Sequence, residues 1–130
     1  MIISVIFLFQ ETCAASTNHD IPVVLFDSSH SQDSGNSDWT IDGAYSDLAD
    51  LLRQTGFEVR STRGGLWENL DNIDILVIPE PNSPLGVTEI KNILDFTRNG
   101  GSLFLIGNHK GADRNGNGFD SVSVFNEFKI

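Results

Sequence analysis

Four short apolar runs punctuate the chain: Ile21 to Phe26, Phe57 to Ser61, Ile73 to Pro79 and Ser102 to Ile106. Three of them are almost continuously hydrophobic and rich in β-branched residues, the pattern of strands covered on both faces. Between them the period changes. Ile41, Ala44, Tyr45, Leu48, Leu51 and Leu52 recur at helical spacing, which predicts a helix starting near Ser37 or Asp38 and closed by Gly56. Thr88 is the expected N-cap of a second helix that runs through Arg98 to Asn99-Gly100-Gly101, with Ile90, Ile93, Leu94 and Thr97 inward. A weak helical segment is expected around Leu66 to Leu70, and Val122 to Phe128 reads as the opening of a last helix.

Strand–helix alternation with buried strands predicts an α/β fold: a flavodoxin-like open parallel sheet with helices on both faces. At 130 residues there is room for one such domain, expected over 16–130. An open sheet of this kind normally carries a further strand after the last helix, so the domain is expected to be incomplete, truncated at its C-terminus.

Composition narrows the function classes. Hydrophobic residues make up 39% and charged residues 20%, which argues against wholesale disorder. Eighteen acidic against eight basic residues leave a net charge of −10, so no nucleic-acid partner is expected from this domain alone. The first fifteen residues, MIISVIFLFQETCAA, place an apolar block before small residues, as in a shortened secretory signal. They are too short for a stable membrane span, and a secreted, periplasmic or extracellular location is the expectation. Cys13 is the one cysteine, which leaves no disulfide framework and no cysteine-based zinc site.

In a parallel sheet all strand C-termini share one edge, and ligands bind there. The residues expected at that edge are Asp27, Ser28, Ser29 and His30, then Glu80 and Asn82, then Asn108, His109 and Asp113. Each alone has an ordinary use as a turn or cap residue. Their convergence is the functional signal. Asp27, Glu80 and His109 are the candidate catalytic groups if the protein is an enzyme, and His30, Asn82 and Asn108 the candidate ligand-binding ones.

Gly107-Asn108-His109-Lys110-Gly111 has the G-x-nucleophile-x-G spacing of a sharp elbow between strand and helix. With the phrases NIDILVIPEPN and TRNGGSLFLIGNH, it resembles the class I glutamine amidotransferase-like superfamily over roughly 21–128. The likeness is to exported or motility-related members without the catalytic cysteine, including the sugar-binding-like domains of gliding-motility and intraflagellar-transport proteins. His109 stands where the resemblance would put the cysteine, which excludes glutaminase and other thiolate chemistry. A metal ligand, a general base, a donor to a sugar hydroxyl and a purely structural histidine all stay open for it.

The stretch from Asp113 to Ser121 alternates oxygen-bearing side chains with glycines, as calcium loops do. Asp113, Asn115, Asn117 and Asp120 are the candidate ligands for Ca2+ or another divalent cation. Val124 stands where an EF-hand needs a bidentate glutamate, so a metal-free N-terminal cap for the last helix is the competing expectation. Trp39 and Trp67 could stack on sugars or pack partly buried. Together these features suggest a secreted domain, not an amidotransferase, that binds a small polar ligand such as carbohydrate, with a cation-binding loop. The alternatives are a metal-dependent hydrolase working at the same edge and a structural module of a larger surface protein.

Overall fold

The computed structural model describes residues 20–30, 39–62 and 70–129. Seven elements follow one another: β1 (Val23–Phe26), α1 (Ser46–Gln54), β2 (Glu58–Ser61), β3 (Ile75–Pro79), α2 (Val87–Arg98), β4 (Ser102–Ile106) and α3 (Ser121–Asn126). The strands form one sheet in the order β2-β1-β3-β4, and every pairing is parallel. This is the open α/β sheet that the alternation of apolar runs and helical periods predicts. The strand order reverses direction at β1, so β1 and β3 flank the switch point.

Period-two alternation divides the strand side chains between two cores. Val23, Leu25, Leu76, Ile78, Leu103 and Leu105 face one side, where Ile93 and Phe96 of α2 and Val124 of α3 meet them. Val24, Phe26, Ile75, Val77 and Ile106 face the other, against Leu48 and Leu52 of α1 and the preceding Ile41 and Tyr45. Helices therefore cover both faces. The cover over β4 is partial, since Phe104, on the α1 side, stays 52% exposed. At the sheet's lower end Asp74 aligns two strands: its carboxylate accepts Val23 N–H at 2.6 Å and its own N–H donates to Val23 C=O at 3.0 Å.

Element boundaries moved where local chemistry competes with periodicity. β1 starts at Val23 because Pro22 brings no N–H to a ladder and Ile21 lies outside the core. Residues 39–45 form turns, not the first turns of α1, with Gly43 and Tyr45 N–H both donating to Thr40 C=O. Thr40, Asp42 and Gly43 are weak helix formers, and the start expected near Ser37 or Asp38 lies outside the described residues. Leu51, expected inside, is 57% exposed. The expected cap at Thr88 is displaced to Gly86, because Glu89 reaches back and accepts Gly86 N–H at 2.7 Å. Both long helices end in Schellman turns on a glycine with left-handed backbone, Gly56 and Gly100. Of the weak helix expected at 66–70, only Leu70 is described, and it is not helical; 63–69 lie outside the described residues.

Two substitutions test this packing by denaturant unfolding. Ile93, fully buried between α2 and the sheet, should lose about 2–5 kcal/mol on change to Ala. A Cβ added at Gly101 would sit 2.3 Å from the Phe96 ring, so Gly101→Ala should cost about 1–3 kcal/mol through overpacking.

Candidate functional site

All four strand C-termini open onto one rim, and the polar side chains there gather into two groups. The first is centred on Asp27, at the end of β1 and 1% exposed. Its Oδ1 accepts Ser29 N–H at 2.9 Å and Ser29 Oγ–H at 2.6 Å, and lies 3.3 Å from Thr62 Oγ1 at the end of β2. Its Oδ2 lies 2.8 Å from His30 Nδ1. On the far side of the imidazole, Nε2 sits 3.3 Å from Glu89 Oε2, the oxygen that also receives Gly86 N–H. A buried carboxylate–imidazole–carboxylate bridge thus ties the loop after β1 to the first turn of α2. Glu89 Oε1 is buried and meets no hydrogen-bond partner among the described residues.

Burial of His30 opposes its charged form, but the hydrogen bond to Asp27 and the charges of Asp27 and Glu89 outweigh that cost and raise its pKa. Protonated, the ring donates to both carboxylates; neutral, it keeps a donor for only one of them. Serine-type nucleophilic catalysis does not fit this geometry, because Glu89 holds the imidazole nitrogen that a nucleophile hydroxyl needs, and Ser29 donates to Asp27 instead.

The second group lies over β3 and β4. Glu80 directly follows β3 with φ +42°, a left-handed backbone rare for glutamate, between the buried Pro79 and Pro81. Its N–H donates to Ile106 C=O at 2.7 Å, fixing it beside the end of β4. Its Oε2 accepts Asn108 Nδ2 at 3.3 Å and lies 3.9 Å from an Arg114 nitrogen. The Arg114 guanidinium carbon is 4.4 Å from the Trp39 ring centroid, a cation–π stack, and Trp39 in turn packs on Tyr45 at 5.9 Å. Desolvation, with the nearby Glu80 charge, pushes the Tyr45 hydroxyl up to about 12. The Trp39 indole N–H is buried without a partner among the described residues.

Asn82 links the two groups through its backbone. Its N–H donates to His30 C=O at 3.0 Å, and its C=O receives Asn117 Nδ2 at 2.8 Å and Asn115 Nδ2 at 3.3 Å. Of the residues expected at one edge, Asp27 and His30 belong to one cluster and Glu80 and Asn108 to the other. His109 is exposed, and its ring Nδ1 lies 2.8 Å from Oδ1 of the neighbouring Asn108.

The expected strand-to-helix elbow does not form. After Gly107 the chain continues as a loop, and α3 begins only at Ser121. Gly107 is small for another reason: a Cβ there would lie 3.2 Å from the Phe125 ring of α3. Without a helix at once behind it, His109 has no raised nucleophile position.

The loop oxygens read as calcium ligands are engaged by backbone. Asp113 accepts Asn117 N–H at 3.1 Å and Gly118 N–H at 2.8 Å; Asn115 accepts Asn117 N–H at 3.3 Å; Asn117 accepts Phe119 N–H at 2.9 Å. Asp120 caps α3, accepting Ser123 N–H at 2.7 Å as well as Gly111 N–H, and these bonds lower its pKa. Among the described residues no group of three or more His, Cys, Asp or Glu is placed to hold a metal ion.

Sequence reasoning missed Glu89, Thr62 and Arg114. Glu89 had a signal, its place in the first turn of a helix, where a carboxylate reaches back to the cap. Thr62 and Arg114 had none, because their partners are 35 and 34 residues away.

The fold and the rim together define an open, all-parallel α/β domain with polar side chains gathered at the C-terminal ends of its strands. No protein-family model, curated protein or solved structure matches the chain. No helix among the described residues is long and apolar enough to cross a membrane.

The bridge predicts a pH signature. The folded pKa of His30 lies above its ordinary 6.5, so its contribution to stability is complete below that value and is lost as pH rises through the raised pKa. Denaturant midpoints measured across this window should fall on the alkaline side, and His30→Gln should flatten the fall.

Proposed function

We propose that this domain binds a small polar ligand of carbohydrate type in the crevice formed by Glu80, Asn108, His109 and Arg114. The observation that carries this reading is Glu80. A glutamate in left-handed backbone costs folding energy of order 1–3 kcal/mol, and such strain concentrates where a side chain must be aimed. Glu80 supplies an acceptor carboxylate, and with it come an amide that can donate and accept, an imidazole, and a guanidinium steadied on an indole. Vicinal sugar hydroxyls, each donor and acceptor at once, match that mixture.

The resemblance to cysteine-less amidotransferase-like domains and the export expectation agree with this reading; the stretch on which export rests, 1–15, lies outside the described residues. The hydrolase alternative, with Asp27, His30, Glu80, His109 and Asp113 as metal ligands or bases, draws less support. Both His30 nitrogens face carboxylates within the fold, and Asp113 is committed to its own loop.

A glycan-array screen followed by calorimetry with the best ligand tests the proposal. Glu80→Gln and Arg114→Ala should each weaken binding by about ten- to a hundredfold, the loss of one charged hydrogen bond, with circular dichroism unchanged. A blank array, or unaltered affinity in both variants, refutes it. Adding Ca2+ or EDTA during thermal melts tests the loop separately: a resident cation would raise Tm by mass action.

A further inference from the structure

The loop after β4 contains two consecutive Asn-Gly pairs, Asn115-Gly116 and Asn117-Gly118. Asn-Gly is the dipeptide in which a backbone nitrogen most readily attacks the preceding side-chain amide, because glycine brings no Cβ to block the approach. Both glycines have left-handed backbone, and a Cβ at either would meet nothing within 4 Å. Identical chemistry, two residues apart, meets two different environments.

At the second pair every participating group is held tightly. Asn117 Nδ2 donates to Asn82 C=O at 2.8 Å, its Oδ1 accepts Phe119 N–H at 2.9 Å, and the nitrogen that would attack, Gly118 N, donates to Asp113 Oδ2 at 2.8 Å. Forming a ring there breaks the bond to Asp113 and swings the amide off Asn82. At the first pair the amide is held loosely, by contacts of 3.3 Å on both Nδ2 and Oδ1. Bonds at that length are weak, and the amide can rotate toward Gly116 N at little cost. Exposure alone would select Asn117, the more exposed of the two; the hydrogen bonds select Asn115.

We infer that Asn115 is a site of spontaneous deamidation and that the fold shields Asn117 from the same reaction. Gly116 N attacks Asn115 Cγ, so an N–C bond forms, the Cγ–Nδ2 bond breaks, and ammonia leaves with the proton that Gly116 N gives up. Water then opens the five-membered imide at either carbonyl, leaving aspartate or isoaspartate at 115; no oxidant or reductant takes part. The product replaces an amide donor on Asn82 C=O with a carboxylate, oxygen against oxygen, and sets a negative charge next to Arg114. Loss of that donor loosens the loop that carries Arg114 onto Trp39. This inference does not depend on what the crevice binds.

The test ages the folded chain in mildly alkaline buffer beside a urea-unfolded sample. Cleavage after Arg114 and Lys129 releases a peptide spanning 115–129, and fragment masses separate the two asparagines. Conversion at 115 with Asn117 at least tenfold slower in the folded sample, and comparable rates at both in the unfolded one, is the expected result. Equal rates in the folded protein, or no conversion at 115 while the unfolded chain reacts, overturns the inference. Asn115→Gln should abolish the mass gain at that position. For the consequence, Asn115→Asp should speed hydrogen exchange at the Gly118 amide; unchanged exchange refutes the loosening.

Discussion

Asp27 sits at the end of β1, one of the two inner strands of the sheet, with almost no access to water, and a buried carboxylate must be answered by donors. The donors come from three directions: Ser29 N–H and hydroxyl, the Thr62 hydroxyl at the end of β2, and the His30 ring, whose other nitrogen reaches Glu89 on α2. Satisfying one side chain therefore ties together β1, β2 and α2 at the rim. Removing any one partner would leave charge buried without its full complement, which costs more than the partner's own hydrogen bond is worth.

This knot also sets what the neighbouring crevice can do. With Asp27, His30 and Glu89 engaged with one another, the groups left facing the open part of the rim come from the ends of β3 and β4. Glu80 is placed there by a strained backbone and a bond to Ile106, and Arg114 by the face of Trp39. Asn82 joins the halves through its peptide group, with His30 on one side and the amides of Asn115 and Asn117 on the other. Buried, mutually engaged groups and more open ones thus come from different residues along one edge.

The loop from Asp113 to Asp120 shows how one composition serves two chemistries. Asp and Asn alternating with Gly suits a cation loop, and it equally suits a run of tight turns in which each side-chain oxygen receives a backbone N–H. In the structure the side-chain oxygens of Asp113, Asn115 and Asn117 receive backbone N–H groups, and Asp120 serves as the cap of α3. The close pass of α3 over the end of β4 likewise explains Gly107, whose spacing with Gly111 imitates an elbow.

How much was legible beforehand divides by range. Continuous apolar runs at 21–26 and 73–79 and the helical recurrence through Ile90, Ile93 and Leu94 depend on the chain's own period, so they announced the strands, the helices and the parallel sheet. Parallel direction in turn put Asp27, Glu80 and Asn108 on one edge before any coordinate was known. Which of them touch was decided in three dimensions. The His30–Glu89 bridge, the Thr62 contact and the Arg114–Trp39 stack join residues far apart in sequence, and no local spacing encodes them. Period is a property of neighbours along the chain, whereas partnership at a rim depends on how loops of separate strands close over one another.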